Sequence, residues 1–184
     1  AEPVSLSVPF RAGALSAGES VEVRDPGTGA VYPVQARVLA NWPDGSVKWL
    51  HIYLQPDLPG NRDATLHLVT GADAAPLRPA GQAALRVDRV PGGVEVDTGP
   101  LRFTVSADGY LPIRDVALNG RALFGGAPFS GFRLQTDAGV VSTATGPVEV
   151  TVEEAGPLRA IIELRGKHRR PDGSGFLDLR GRIV

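Results

Sequence analysis

The residue types that most often perform catalysis are scattered along this sequence. Its three histidines, His51, His67 and His168, are far apart, and none lies in the H-x-x-x-H or H-E-x-x-H pattern of a zinc site. Cys is absent, which excludes thiolate metal ligands, a thiol nucleophile and disulfides. No G-x-S-x-G nucleophile elbow and no glycine-rich nucleotide loop occurs. We therefore predict no catalytic residue, no metal site and no cofactor in this chain.

Paired carboxylates and clustered cations also have structural interpretations. Glu153 and Glu154 are adjacent, and adjacent side chains on a strand point to opposite faces, so they cannot form the acid and base pair of a glycosidase. The basic run GKHRRPDG at 166–173 could attract an acidic sugar, but a solvated hairpin tip is the preferred interpretation.

The stretch NWPDGSVKWL, residues 41–50, contains both tryptophans of the chain. An exposed aromatic ring can stack on the apolar face of a sugar, and Trp42 lies beside a turn; Trp42, Tyr53 and Tyr110 are therefore the candidate carbohydrate-binding residues. A Trp within a strand contributes most when it is buried, so the preferred interpretation is a core hairpin with Trp49 inside the first domain.

Apolar residues alternate with polar ones at period two along most of the chain, which predicts an all-β protein. The segment SVKWLHIYL, 46–54, is largely apolar at both parities, and we expect a strand covered on both sides. Clusters of Gly, Pro, Asp and Asn between the alternating segments predict turns, including PDG at 43–45 and RRPDGSG at 169–175.

Composition predicts two domains. A segment rich in Ala, Pro and Gly suggests a linker at 75–81, between a domain at 1–74 and another at 82–184. The final alternating segment stops at Val184 without a turn or polar tail, so we expect the second domain to be cut inside a larger polypeptide. The absence of Met and the start at Ala1 suggest a processed N-terminus.

Charge and hydropathy limit the partners. Nineteen basic and twenty acidic residues leave a net charge of −1, without the basic excess that nucleic-acid binding requires. No apolar run approaches the roughly 20 residues that span a bilayer. We expect neither a nucleic acid nor a membrane as partner.

Four segments resemble, in order, the N-terminal half of the exo-rhamnogalacturonan lyase-like proteins. They cover nearly the whole chain, and WPDGSVKW is the most specific of their motifs. The four segments are VSLSVPFRAGAL, VQARVLANWPDGSVKWLHIYLQ, VDTGPLRFTVSADGYLPIRDVALNGRAL and LRGKHRRPDGSGFLDLRGRIV.

The resemblance implies a small RIFT-type β-barrel, then an incomplete β-sandwich, and then a catalytic (α/α) toroid that this chain lacks. It further implies a secreted or periplasmic bacterial parent that cleaves rhamnogalacturonan or another acidic polysaccharide by β-elimination. The chain alone would be a non-catalytic scaffold whose partner is the absent catalytic domain. A free-standing carbohydrate-binding or structural β-module is the alternative.

Overall fold

The computed structural model describes residues 3–57, 60, 63–71, 74, 85–108, 112–123, 133–137, 139–142, 148–169 and 172–184. Sixteen strands and no α-helix occur among these residues, which confirms the all-β prediction. The predicted linker at 75–81 and Tyr110 lie outside the described residues. The strands are β1 (Val4–Pro9), β2 (Val21–Arg24), β3 (Val31–Tyr32), β4 (Val34–Asn41), β5 (Val47–Leu54), β6 (His67–Thr70), β7 (Arg86–Val90), β8 (Gly93–Asp97), β9 (Leu101–Ser106), β10 (Ile113–Leu118), β11 (Arg121–Ala122), β12 (Arg133–Thr136), β13 (Gly139–Ser142), β14 (Glu149–Ala155), β15 (Ala160–Arg169) and β16 (Gly175–Ile183).

The chain divides into two compact units, residues 1–81 and 82–184. The first unit contains two three-stranded sheets, with strand orders β1-β5-β4 and β3-β2-β6. Both sheets contribute to one apolar core, because alternate side chains of their strands point to the same side. The buried members of this core are Leu15, Val23, Val47, Leu50, Ile52 and Leu54.

The central strand β5 corrects one prediction. Leu50, Ile52 and Leu54 are buried, but Trp49 is 39% exposed and His51 is only half-buried. The predicted coverage of both faces and the predicted burial of Trp49 are therefore wrong. The physical reason is that the described elements of the first core pack on only one face of the β1-β5-β4 sheet.

The PDG turn that joins β4 to β5 forms as predicted. Gly45 has φ +85°, a conformation that glycine adopts without a steric penalty. The Trp42 N–H donates to the Ser46 carbonyl at 2.8 Å, and the Gly45 N–H donates to the Trp42 carbonyl at 2.9 Å. Ser46 is buried, and its side chain accepts a hydrogen bond from the Gly13 N–H at 2.9 Å. The turn thus also holds the segment that follows β1.

The same local turn occurs at the tip of the β15-β16 hairpin in the second unit. Asp172 accepts hydrogen bonds from the Ser174 N–H at 2.8 Å and from the Ser174 hydroxyl at 2.6 Å. Asp44 accepts the corresponding bonds from Ser46 at 2.9 Å and 2.6 Å. Two Asp-Gly-Ser sequences therefore fold into the same side-chain motif.

The second unit contains a five-stranded sheet, β11-β10-β9-β8-β7, a three-stranded sheet, β14-β15-β16, and the hairpin β12-β13. The two larger sheets share one core, as in a β-sandwich. The period-two pattern did not predict strands β10 to β13, because their residues lack a clear alternation of apolar and polar side chains. The buried core residues are Val94, Val96, Val105, Val148, Ile162, Leu164 and Leu179. In the described part of the chain no helix is long and apolar enough to cross a bilayer.

Candidate functional site: the outer face of the first domain

The side of the β1-β5-β4 sheet opposite the core carries aromatic and polar side chains in register. Ser5 is paired with Tyr53 and Ser7 with His51 across β1 and β5. Across β5 and β4, Tyr53 is paired with Gln35, and His51 with Arg37. Paired residues on neighbouring strands have side chains on the same face, so these groups form one surface. We call this surface the outer face; it consists of Ser5, Ser7, Gln35, Arg37, Trp49, His51 and Tyr53.

The imidazole of His51 is held from β1 by two serine hydroxyls. Ser5 Oγ lies 3.0 Å from His51 Nε2, and Ser7 Oγ lies 3.2 Å from His51 Nδ1. A neutral imidazole has one donor and one acceptor nitrogen, and a hydroxyl can serve either of them. Both ring nitrogens therefore have partners, and the ring orientation is set before any ligand arrives.

Two aromatic side chains flank His51 on the same strand. Trp49 is 39% exposed, and Tyr53 is half-buried, with its hydroxyl accepting a hydrogen bond from Gln55 Nε2 at 2.8 Å. Residues two apart on a strand are about 7 Å apart, so the row from Trp49 to Tyr53 extends over about 13 Å. The outer face is thus an elongated surface with a ring near each end and an imidazole between them.

The outer face carries positive but no negative charge at its described positions. Arg37 is exposed and lies beside His51 on β4. The remaining groups are hydroxyls, an amide, an imidazole, a phenol and an indole. This surface can stack rings, exchange hydrogen bonds with hydroxyls and attract a carboxylate.

Trp42, the first predicted sugar-binding residue, is held in place by contacts within the first domain. Its indole N–H donates to the Phe10 carbonyl at 3.0 Å, and Lys48 Nζ lies 4.5 Å from the ring centroid, a cation–π distance. One face of the ring is therefore occupied by a side chain of the same hairpin. Tyr53 lies about 20 Å along β5 from this turn, so the structure does not bring Trp42 and Tyr53 together. Their binding of a carbohydrate stays a prediction.

In the second unit, the face of the β14-β15-β16 sheet that points away from the core carries paired charged side chains. Glu163 is only 2% exposed and accepts hydrogen bonds from Arg165 Nε and Arg180 Nε. Burial raises the pKa of Glu163, but the hydrogen bonds and charges of the two arginines outweigh burial and hold that pKa below its usual value. Arg182 is bonded in turn to Glu153 at 2.9 Å. Each of these three arginines is paired with a glutamate, which is typical of a structural surface.

A shallow cavity of about 240 Å³ lies beside the β9-β10 hairpin of the second unit. Asp97 and Arg102 are its charged lining residues. The Asp97 carboxylate accepts a hydrogen bond from the Gly99 N–H at 2.7 Å, which shapes the adjacent turn. Within the described ranges, no three His, Asp or Glu side chains converge as metal ligands.

Sequence reasoning missed most of the outer face, although the signal was present. Ser5 and Ser7 alternate with apolar residues in β1, and Gln35 and Arg37 do so in β4. Aligning these polar positions with one side of β5 would have marked the side that carries Trp49 as exposed.

Comparison with known proteins agrees with this architecture. Residues 1–66 match the family model of the PcRGLX-like N-terminal RIFT barrel domain. The chain is also 24% identical over 172 residues to the uncharacterized protein YetA of Bacillus subtilis (strain 168). That alignment covers 90% of this chain but 19% of YetA, so the chain spans about a fifth of the length of this relative. The first domain, with its two β-sheets around one core, therefore matches a RIFT barrel domain of the PcRGLX-like type over residues 1–66, as the resemblance implied.

Proposed function

We propose that the two β-domains form a non-catalytic N-terminal part of a polysaccharide lyase-like protein and act as a scaffold for a catalytic domain of the same polypeptide. The proposed parent is secreted or periplasmic and acts on rhamnogalacturonan or another acidic polysaccharide. The family match over residues 1–66, to a domain described as N-terminal, supports this assignment.

The exposed middle of β4 is the observation that carries the scaffold role. Four consecutive residues, 36–39, are exposed, and they include the large apolar side chains of Val38 and Leu39 at 38% and 49% exposure. β4 ends the β1-β5-β4 sheet in the described part of the chain. Natural proteins usually protect an apolar strand at a sheet edge by covering it. A further domain of the same polypeptide is the proposed cover.

In the proposed reaction, a base removes the proton α to a uronate carboxylate, and a cationic group stabilises the enediolate that forms. The electron pair then expels the glycosidic oxygen at the β carbon, which leaves an unsaturated sugar at the new end. The scaffold contributes to this chemistry by positioning the catalytic domain, since a displacement of about 1 Å at the reacting groups can lower the rate about a hundredfold.

The first test compares the 184-residue chain with the full natural polypeptide that contains it. Each is incubated with rhamnogalacturonan, and ultraviolet absorbance records the unsaturated ends. We expect product from the full polypeptide and none from the chain alone. Product from the isolated chain, or none from the full polypeptide, would overturn the proposal.

A second test addresses the scaffold contact directly. Leu39→Lys should lower the thermal midpoint of the full polypeptide more than that of the isolated chain, because a charge is buried only where β4 is covered. Val31→Lys is the matched control, since Val31 is in the same domain with 37% exposure. Equal effects of Leu39→Lys in both proteins would contradict a covering domain at β4.

A further inference from the structure

We propose that β16 is a self-association edge, through which two copies of the chain pair their β16 strands antiparallel about a two-fold axis at Leu179. The β14-β15-β16 sheets of the two copies then join into one continuous sheet. This inference is independent of the scaffold role, because it concerns association between copies of the chain and requires neither a polysaccharide nor catalysis.

β16 is the longest edge strand in the described part of the chain. It has nine residues, Gly175–Ile183, and it ends the β14-β15-β16 sheet among the described residues. Its pairing with β15 continues without a register shift from Leu177 to Ile183, and the strand contains neither Pro nor Lys. A long, regular edge strand readily accepts a further strand, because its outward N–H and C=O groups have no partner within the sheet.

The other two long edge strands are interrupted. β4 has register shifts on both sides of Ala40, and β14 has one between Val152 and Glu154. A bulge twists the strand and leaves one residue unpaired, which opposes the addition of a neighbouring strand. Strand addition therefore fits β16 better than β4 or β14.

The charges of β16 complement those of a second copy. With Leu179 of one copy opposite Leu179 of the other, Asp178 lies opposite Arg180 of the second copy, and the two-fold axis repeats this pair. Paired residues on neighbouring strands share a face, so the opposite charges meet. Moving the axis by one residue in either direction would instead place Asp178 opposite Asp178, or Arg180 opposite Arg180. Charge thus selects this register.

Both charged groups have capacity for a further partner. The Asp178 side chain is 85% exposed, and Lys167 Nζ lies 3.4 Å from one of its oxygens. The Arg180 side chain is 61% exposed and binds Glu163 through Nε, whereas its two terminal nitrogens have no partner among the described residues. A guanidinium can therefore bind Glu163 of its own copy and Asp178 of the other.

The core-facing side of β16 is complementary in shape. Leu177 and Leu179 share this face, but Leu177 is 46% exposed whereas Leu179 is 9% exposed. In the proposed register, Leu177 lies opposite Gly181 of the second copy. Glycine has no side chain, so the isobutyl group of Leu177 has space across the new pair. Association thus removes from water an apolar side chain that the single copy leaves exposed.

A second copy fits this edge better than an unrelated strand. An unrelated strand would need a base opposite Asp178, an acid opposite Arg180 and a small residue opposite Leu177. β16 itself supplies all three groups in one register. The proposed occupant is therefore another copy of this chain.

The first measurement is analytical ultracentrifugation of the 184-residue chain over a range of concentrations. The pairing of one nine-residue strand buries less than a standard interface, so we expect a weak dimer with a dissociation constant on the order of 10–100 μM. Asp178→Arg replaces two attractive pairs by repulsion and should raise that constant at least about tenfold. Leu177→Lys should raise it by a similar factor, because an ammonium would be removed from water.

Two controls make the same changes elsewhere in the second unit. Asp88→Arg alters an exposed residue of the edge strand β7, and Leu118→Lys alters a side chain with 42% exposure on β10. Both should dimerise as the parent chain does. Circular dichroism verifies the fold of every variant, and all four positions are exposed.

Hydrogen exchange locates the contact. Raising the concentration through the dissociation constant should slow the exchange of amides in β16 and leave those of β7 unchanged. Protection outside β16, a chain that is monomeric at about 1 mM, or equal dimerisation in Asp178→Arg, Leu177→Lys and the parent chain would overturn the proposal. A full natural polypeptide that stays monomeric where the chain dimerises would also overturn it. These outcomes are distinct from a failure of the proposed function, because no cleavage is measured.

Discussion

Replacing Ser46 by Ala tests how the WPDGSVKW motif stabilises the first domain. Ser46 is 8% exposed, and its hydroxyl oxygen accepts the hydrogen bond from the Gly13 N–H. Leu15, two residues after Gly13, is a core residue, and its carbonyl accepts a hydrogen bond from the Val47 N–H at 2.8 Å. The substitution therefore loosens the segment that carries Leu15 into the core.

The loss of the hydrogen bond between Ser46 and Gly13 should lower the free energy of unfolding by about 1 kcal/mol. For a domain of this size, that corresponds to a decrease of about 4–8 °C in the thermal midpoint. Both tryptophans lie in the first unit, so Trp fluorescence follows the unfolding of that domain.

Ser174→Ala is the matched control, because Ser174 makes the same two bonds to its aspartate but is exposed. Its effect, followed by circular dichroism, should be smaller. A Ser46→Ala variant that is no less stable than Ser174→Ala would refute this account of the motif.

The same substitution should change a titration. The side-chain and backbone hydrogen bonds from Ser46 hold the pKa of Asp44 below its ordinary value. Ser46→Ala removes the larger of these two contributions, so the pKa of Asp44 should rise toward that of a free aspartate. Measurement of the Asp44 carboxyl chemical shift against pH checks this, and an unchanged pKa would contradict the hydrogen-bond assignment.

Two further predictions concern the second unit. A Cβ at Gly93 would lie 2.1 Å from the Val105 carbonyl oxygen, so Gly93→Ala must separate β8 from β9. We expect urea unfolding to show that the free energy of unfolding falls by about 3 kcal/mol or more. Gly60→Ala in the first unit is the control and should be nearly neutral, because a Cβ there meets nothing within 4 Å. The depressed pKa of Glu163 contributes stability that is present above its unfolded-state pKa and lost as pH falls through the folded-state pKa. Acidification below about pH 4 should therefore destabilise the parent chain more than the Glu163→Gln variant. An equal loss of unfolding free energy in the two proteins on acidification would contradict this.

Local sequence patterns predict much of this fold. The alternation in β1, β8 and β15 marks strands because side chains on a strand point alternately to its two faces. The turn at Gly45 is predictable because few residues other than glycine adopt its positive φ without strain. These features depend on neighbours along the chain, which the sequence shows directly.

Strand boundaries and interruptions were less predictable. The alternating segment 31–40 is divided at Pro33 into β3 and β4, which belong to different sheets. Proline donates no backbone hydrogen bond, but the pattern of side chains continues across it. The register shifts in β4 around Leu39 likewise depend on its pairing with β5.

The candidate site shows most clearly why local patterns are insufficient. The residues of β5 are apolar at both parities, so the sequence of that strand is compatible with burial of either side. Pairing with β1 and β4 places Ser7 and Arg37 beside His51, and the core residues Leu50 and Ile52 take the opposite side. Burial depends on which elements pack against a face, and these come from distant parts of the chain; the exposure of Trp49 is therefore a property of the assembled sheet rather than of the residues around it.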